Sequence, residues 1–194
     1  NDTICQATVG APNYGTGGLD QRGVPRPQGL ACDIGAFEAD ITEPIVTVPP
    51  DKTVEATGPS GAVVDFGGEV SATDELSPAN PAVTCDPASG STFPLGATTV
   101  TCEATDDAGN TGSNSFTITV VDTTAPTLYL PANITVVQNI PGGAIVNFTA
   151  SATDLVTPLQ PVVLCAPAAG SIFAPGTTIV NCSVTDTAGN MASG

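Results

Sequence analysis

The sequence predicts an all-β protein made of two tandem antiparallel β-sandwiches behind a short N-terminal segment. Three observations predict it. Apolar and polar residues alternate with period two in most apolar stretches, as half-buried strands require. Gly and Pro, 21 and 18 of 194 residues, interrupt every long window, so no helical periodicity survives. The chain also repeats itself: "VTCDPASGSTFPLGATTVTCEATDDAGN" returns as "VLCAPAAGSIFAPGTTIVNCSVTDTAGN".

Taken in order, each copy opens on a similar phrase, "DITEPIVTVP" from Asp40 and "DTTAPTLYLP" from Asp122, 82 residues apart. "AVVDFGGEVSATD", Ala62 to Asp74, then matches "AIVNFTASATD", Ala144 to Asp154, apart from Gly67-Gly68. In "VTCEATD", Val100, Cys102 and Ala104 share one face, and Thr101, Glu103 and Thr105 the other. In "FTITVV", Phe116, Ile118 and Val120 share a face. The domain boundaries follow as 1–39, 40–122 and 123–194. "VVDTTAPTLYL" joins the copies with no Gly/Ser-rich linker and with Pro126 as a stiffener, which predicts a rod with restricted bending.

Charge and composition exclude several function classes. Three basic residues against 19 acidic ones give a formal net charge of −16, which argues against nucleic acid and anionic membranes as partners. No apolar run is long enough to cross a bilayer, so direct membrane insertion is not expected. There is no His, so Ser-His-Asp and Cys-His catalysis are excluded and no enzyme motif remains. The six cysteines, Cys5, Cys32, Cys85, Cys102, Cys165 and Cys182, form no C-x-x-C pair. Their even count and the repeated spacing of 17 suggest disulfides and an oxidising, extracellular or cell-surface location.

"DDAGN" and "DTAGN" read as hairpin turns, with Asp bonding its own turn and Gly109 or Gly189 at positive φ. The functional rival is calcium on Asp106, Asp107 and Asn110. A calcium cage takes six or more oxygens, and the second copy has Thr187 in place of Asp107, so the plain turn is the expectation and no cofactor is assigned.

The opening Pro, the "SATD" segment, "C-x-P-x-x-G-S-x-F-x-x-G-x-T-x-V-x-C" and the "D-x-A-G-N" turn resemble the hyalin repeat, or HYR, domain over Asp40 to Gly194. That resemblance implies an immunoglobulin-like sandwich in extracellular proteins, often linked to adhesion. Within it, the bridges are expected between Cys85 and Cys102 and between Cys165 and Cys182. Such pairs are too close in sequence for the bridge of antibody domains, and there is no Trp. Each closes a short loop and contributes on the order of 3 kcal/mol.

Residues 1–39 differ. Arg22 and Arg26 lie here, and Cys5 and Cys32 are the natural third pair. "DQRGVPRPQG" with "CDIGAFE" resembles the closing rungs of bacterial parallel β-helix surface proteins of the choice-of-anchor, polymorphic-outer-membrane type. The resemblance implies a bacterial surface protein whose chain extends upstream.

The counterparts of Ser115 to Asp122 would follow Gly194, so the second sandwich is expected to lack its last strand. Three accounts compete: a longer chain, a strand from a neighbouring molecule, or a frayed domain. The candidate acceptor edge is Thr178, Val180, Cys182 and Val184. The candidate donor is Thr3, Ile4, Cys5, Gln6, Ala7, Thr8 and Val9, with "CDIGAFE" as a second choice. Head-to-tail donation grows a filament unless it closes a ring. Sequons at Asn1, Asn133, Asn147 and Asn181 are candidate glycosylation sites. The function expected is non-enzymatic: a rod or filament subunit, or alternatively an adhesin with a cell-surface or matrix partner, or a carbohydrate-binding appendage. The last is poorly supplied with stacking surfaces, since there is no Trp, two Tyr (Tyr14 and Tyr129) and six Phe expected mostly to face inward.

Overall fold

The computed structural model describes residues 40–194 except 76–78 and 158–159. The N-terminal assignments, namely segment 1–39, Asn1, the Cys5–Cys32 pair and the Thr3–Val9 donor, lie outside the described residues. Every regular element described is a strand, apart from one 3-10 turn at Gly67–Glu69. No helix is long and apolar enough to cross a membrane.

The strands are short because Pro and Gly keep interrupting them. They are β1 (Ile45–Thr47), β2 (Lys52–Glu55), β3 (Ala62–Val63), β4 (Ser71–Thr73), β5 (Val83–Asp86), β6 (Thr92–Phe93), β7 (Gly96–Thr105) and β8 (Thr111–Val121) in the first copy. The second copy has β9 (Thr127–Tyr129), β10 (Ala144–Ile145), β11 (Ser151–Thr153), β12 (Val163–Ala166), β13 (Ile172–Phe173), β14 (Asn181–Thr185) and β15 (Met191–Ser193). In the first copy the sheets are β1–β4, β3–β6 and a four-stranded sheet in the order β2–β8–β7–β5. In the second they are β9–β11, β10–β13 and a three-stranded sheet in the order β12–β14–β15.

The described residues fall into two compact units whose boundary runs across the first copy. One holds 40–51, 65–91 and 99–117; the other holds 52–64, 92–98 and 118–194. In the first unit β1 pairs with β4 antiparallel, Val46 opposite Ala72, and both side chains are buried. β5 pairs with β7 so that Cys85 stands opposite Cys102, and a disulfide joins them. The bridge therefore ties neighbouring strands of one sheet, unlike the antibody bridge between sheets. Phe66 meets Phe116 edge to face with ring centroids 5.1 Å apart. Gly112 lies against the Pro44 carbonyl, where a β-carbon would collide with it. Asn114 Nδ2 donates to the Val46 carbonyl at 3.0 Å, and Thr117 N–H to Asp51 Oδ1 at 2.7 Å, fastening the edge of β8.

In the second unit β2 runs parallel to the end of β8, with Val54 opposite Val120. Ile118 and Val120 are fully buried, as the period-two reading of "FTITVV" predicts. The β12–β14 register repeats that of β5–β7: Cys165 stands opposite Cys182 and is bonded to it. Among the described residues no cysteine is free.

Candidate functional site

Two features of the second unit stand out, an uncovered strand position and a cluster of carboxylates. The strand position arises from β15. It begins as β8 does, just after the D-x-A-G-N turn, and pairs with β14 through Thr185–Met191, Val184–Ala192 and Ser183–Ser193. Gly194 continues the ladder, donating to and accepting from Cys182 at 3.0 and 2.8 Å. Cys182 and Val184 of the expected acceptor edge therefore have strand neighbours of the same chain on both sides. Thr178 and Val180 lie before β14, outside any strand.

The open stretch is thus 176–180, which includes Thr178 and Val180 of the expected acceptor edge and excludes Cys182 and Val184. Its first-copy counterpart, the start of β7, is strand from Gly96 onward. A second segment is also without a strand: 131–139, the counterpart of the region containing β2. In the first copy, β2 pairs with residues 118–121 of β8. With no equivalent partner among the described residues, Ile134, Val136 and Val137 are exposed, Val137 to 87%. Phe148, Phe173 and Val180 are only half-buried.

The carboxylate cluster consists of Asp122, Asp154 and Asp186, each offering a ligand oxygen within 4.8 Å of the others. They come from three places: the end of β8, the loop after β11 and the turn after β14. Each side chain is pinned through Oδ1 by a backbone N–H of its own turn. Asp122 accepts from Thr124 at 3.2 Å, Asp154 from Val156 and Thr157 at 2.9 and 2.6 Å, and Asp186 from Asn190 at 2.8 Å. Asn190 Nδ2 then bridges Asp186 Oδ2 at 2.9 Å and the Asp122 carbonyl at 3.1 Å. Asp122 Oδ2 is buried and has no hydrogen-bond partner among the described residues.

The electrostatics separate the three. Burial raises the Asp122 carboxyl above its ordinary value; the Thr124 N–H opposes this, and the charges of Asp154, Asp186 and Glu55 add to it. Burial also acts on Asp186, but the Asn190 side-chain and backbone bonds outweigh it and lower that carboxyl. Nearby, Glu55 accepts from the Thr123 N–H and from the hydroxyls of Thr123 and Thr124, each at 2.8 Å, holding the strand that leaves β8.

The first unit has the same arrangement in Asp40, Asp74 and Asp106. Asp106 Oδ1 accepts from Ala108 and Asn110 N–H at 2.8 Å, and Asn110 Nδ2 reaches Asp106 Oδ2 at 2.7 Å and the Asp40 carbonyl at 3.2 Å. The hairpin-turn reading of "DDAGN" matches these bonds, with Gly109 at φ 95°. Of Asp106, Asp107 and Asn110, Asp107 is exposed, and Asn110 Nδ2 donates to Asp106 Oδ2 and to the Asp40 carbonyl. Asp106 is instead joined by Asp40 and Asp74, from phrases read only as a repeat opening and part of a strand motif. The signal was in the sequence. Three aspartates recur at matching places in both copies, while Asp107 does not.

The sequon residues Asn133, Asn147 and Asn181 are all exposed. A groove of about 410 Å³ lies along Val162, Leu164, Ser183 and Thr185; none of its lining side chains is aromatic, so it offers no sugar-stacking platform.

Comparison with known proteins agrees with the pattern of residues. The HYR domain family matches residues 39–120. The chain is 34% identical over 177 residues to hyalin of Strongylocentrotus purpuratus, covering 87% of this chain and 14% of that protein. It is 34% identical over 175 residues to hyalin of Lytechinus variegatus, covering 82% of this chain and 31% of that protein. The chain therefore spans less than a third of either relative. Disulfides placed within sheets persist in an oxidising compartment, and the chain is an extracellular or cell-surface protein. An HYR domain is found at residues 39–120, and most of the chain is similar to part of hyalin.

Proposed function

We propose that the chain is a non-enzymatic structural and adhesive module: two immunoglobulin-like sandwiches in tandem, forming part of a rod that lengthens by β-strand addition. One observation carries the reading. Among the described residues, segments 131–139 and 176–180 have no strand partner and leave apolar side chains uncovered, where the first copy seats the far end of β8. Backbone donors and acceptors at such an edge are satisfied by an added strand whose alternate residues are apolar. The occupant is a segment like Ser115–Val121, from the same polypeptide or from a neighbouring molecule. The second source gives head-to-tail assembly, with Thr3–Val9 as its proposed donor. Residues 1–39 remain our reading of a β-helix end of the bacterial surface type. A cell-surface or matrix partner fits the adhesive role.

A fluorescent peptide with the sequence of Ser115–Asp122 tests the edge. It should bind the full chain and raise its melting temperature, and the same peptide with Ile118→Asp should do neither. Sedimentation of the chain should show association that excess peptide dissolves. A strictly monomeric chain that ignores the peptide would sink the proposal.

A further inference from the structure

We propose that Asp122, Asp154 and Asp186 form a divalent-cation site, calcium being the ion it fits. Three carboxylates offering oxygens within 4.8 Å of one another repel, and the fold nevertheless holds each by backbone N–H bonds in its own turn. That is the pre-organisation a cation site needs, but hydrogen bonds within an acidic cluster also occur without an ion. The independent observation is Asp122 Oδ2. Asp122 is only 9% exposed, and this oxygen receives no hydrogen bond among the described residues. A buried anionic oxygen without a partner is costly, and a bound cation is the partner such a group calls for.

The donor set selects the ion class. It is all oxygen, with no imidazole and no thiolate, which suits hard cations and disfavours zinc or copper. The carboxylates come from separate turns, without a rigid octahedral frame. Calcium accepts irregular shells of six to eight oxygens, whereas magnesium demands a near-ideal octahedron. Water completes the shell around three carboxylates, so the affinity belongs to the weak range of extracellular modules, with a dissociation constant of about 10⁻⁴–10⁻³ M. The ion ties Asp122, where the chain leaves β8, to the loops after β11 and β14. Among the described residues, the triad of Asp40, Asp74 and Asp106 shows no such orphaned oxygen and serves as the internal comparison.

Equilibrium dialysis of the full chain against radioactive calcium, with thermal unfolding alongside, tests the site. Saturable uptake is expected, with a calcium-dependent rise in melting temperature that equal magnesium does not reproduce. Asp122→Asn should abolish one equivalent of bound calcium and the associated rise in melting temperature. Without metal, the same variant should melt higher than the parent, because it removes a buried charge and keeps the Oδ1 that Thr124 uses. The calcium-dependent rise in melting temperature, not the metal-free value, separates an ion site from a carboxylate with a merely structural role. Asp154→Asn, at a partly exposed position, should also weaken uptake by at least about tenfold. No saturable uptake, or uptake unchanged in both variants, would overturn the site. The readout does not depend on strand addition.

Discussion

β8 and β15 begin after the same turn and end very differently. β8 runs for 11 residues and buries Phe116, Ile118 and Val120; after the matching turn the sequence carries only Met191–Gly194, of which β15 takes 3. Their surroundings differ accordingly. Phe66, 1% exposed, and Phe93, fully buried, correspond to Phe148 and Phe173, both half-buried. β7 has 10 residues and β14 has 5. Yet the turn, the disulfide and the strand register around it are the same in both regions. Features set by contacts close in sequence therefore persist without the long strand. Burial of the core and strand formation at 131–139 and 176–180 do not.

The sharpest way to break this contrast is to make the first copy resemble the second. Phe116→Ala removes the ring that packs edge-on against Phe66, and should cost about 3–5 kcal/mol in chemical denaturation, the largest effect expected. It should also raise binding of a hydrophobic dye. If stability is unchanged, β8 is not what closes that core.

A smaller effect is expected from the bridges. Paired Cys→Ser replacement at Cys85 and Cys102 closes no loop in the unfolded chain and should cost roughly 3 kcal/mol. The same change at Cys165 and Cys182 should cost a similar amount but expose backbone amides over a wider stretch in hydrogen exchange, since β14 has less support. Equal exchange patterns in the two variants would show that the long strand gives the first sheet no local protection.

The smallest effect concerns a polar contact present in only one copy. Asp65 Oδ1 accepts from the Ser89 hydroxyl at 2.6 Å and the Gly67 N–H at 3.0 Å, and Ser89 Oγ also accepts from the Phe66 N–H at 2.8 Å. The Ser89 and Gly67 bonds hold the Asp65 carboxyl below its ordinary value. Its contribution is therefore present above the unfolded-state value and lost as pH falls through the lowered one. Asp65→Asn should lower the melting temperature slightly at neutral pH, and parent and variant should converge as pH falls through the lowered value, which flattens this part of the acid limb. The second copy already has Asn147 and Ala169 at these places, so mutations there should leave the acid limb alone.

Much of the strand pattern was legible because half-buried strands write their two faces into alternate residues. Val100, Cys102 and Ala104 are all buried, while Thr101, Glu103 and Thr105 are exposed. The turns were legible because Asp and Gly at fixed offsets bond their own backbone. The carboxylate cluster was legible only as three recurring aspartates, not as a site. Asp122, Asp154 and Asp186 are 32 residues apart at each step, and only chain folding brings their oxygens together. Thr178 and Val180 of the expected edge lie in the open stretch, but Cys182 and Val184 do not, for the same reason: whether residues near Cys182 are paired depends on Gly194, reached only after the turn closes.

The sequence by itself determined the all-β character, the strand faces, the turn geometry and the spacing that puts one cysteine of each 17-residue pair opposite the other. These follow from local preference and from period-two burial, which any short stretch carries within itself. Only the tertiary structure decided which oxygens meet, which strand ends lack a neighbour and how deeply each aromatic ring is covered. Those depend on segments distant in the chain, whose approach no local pattern records.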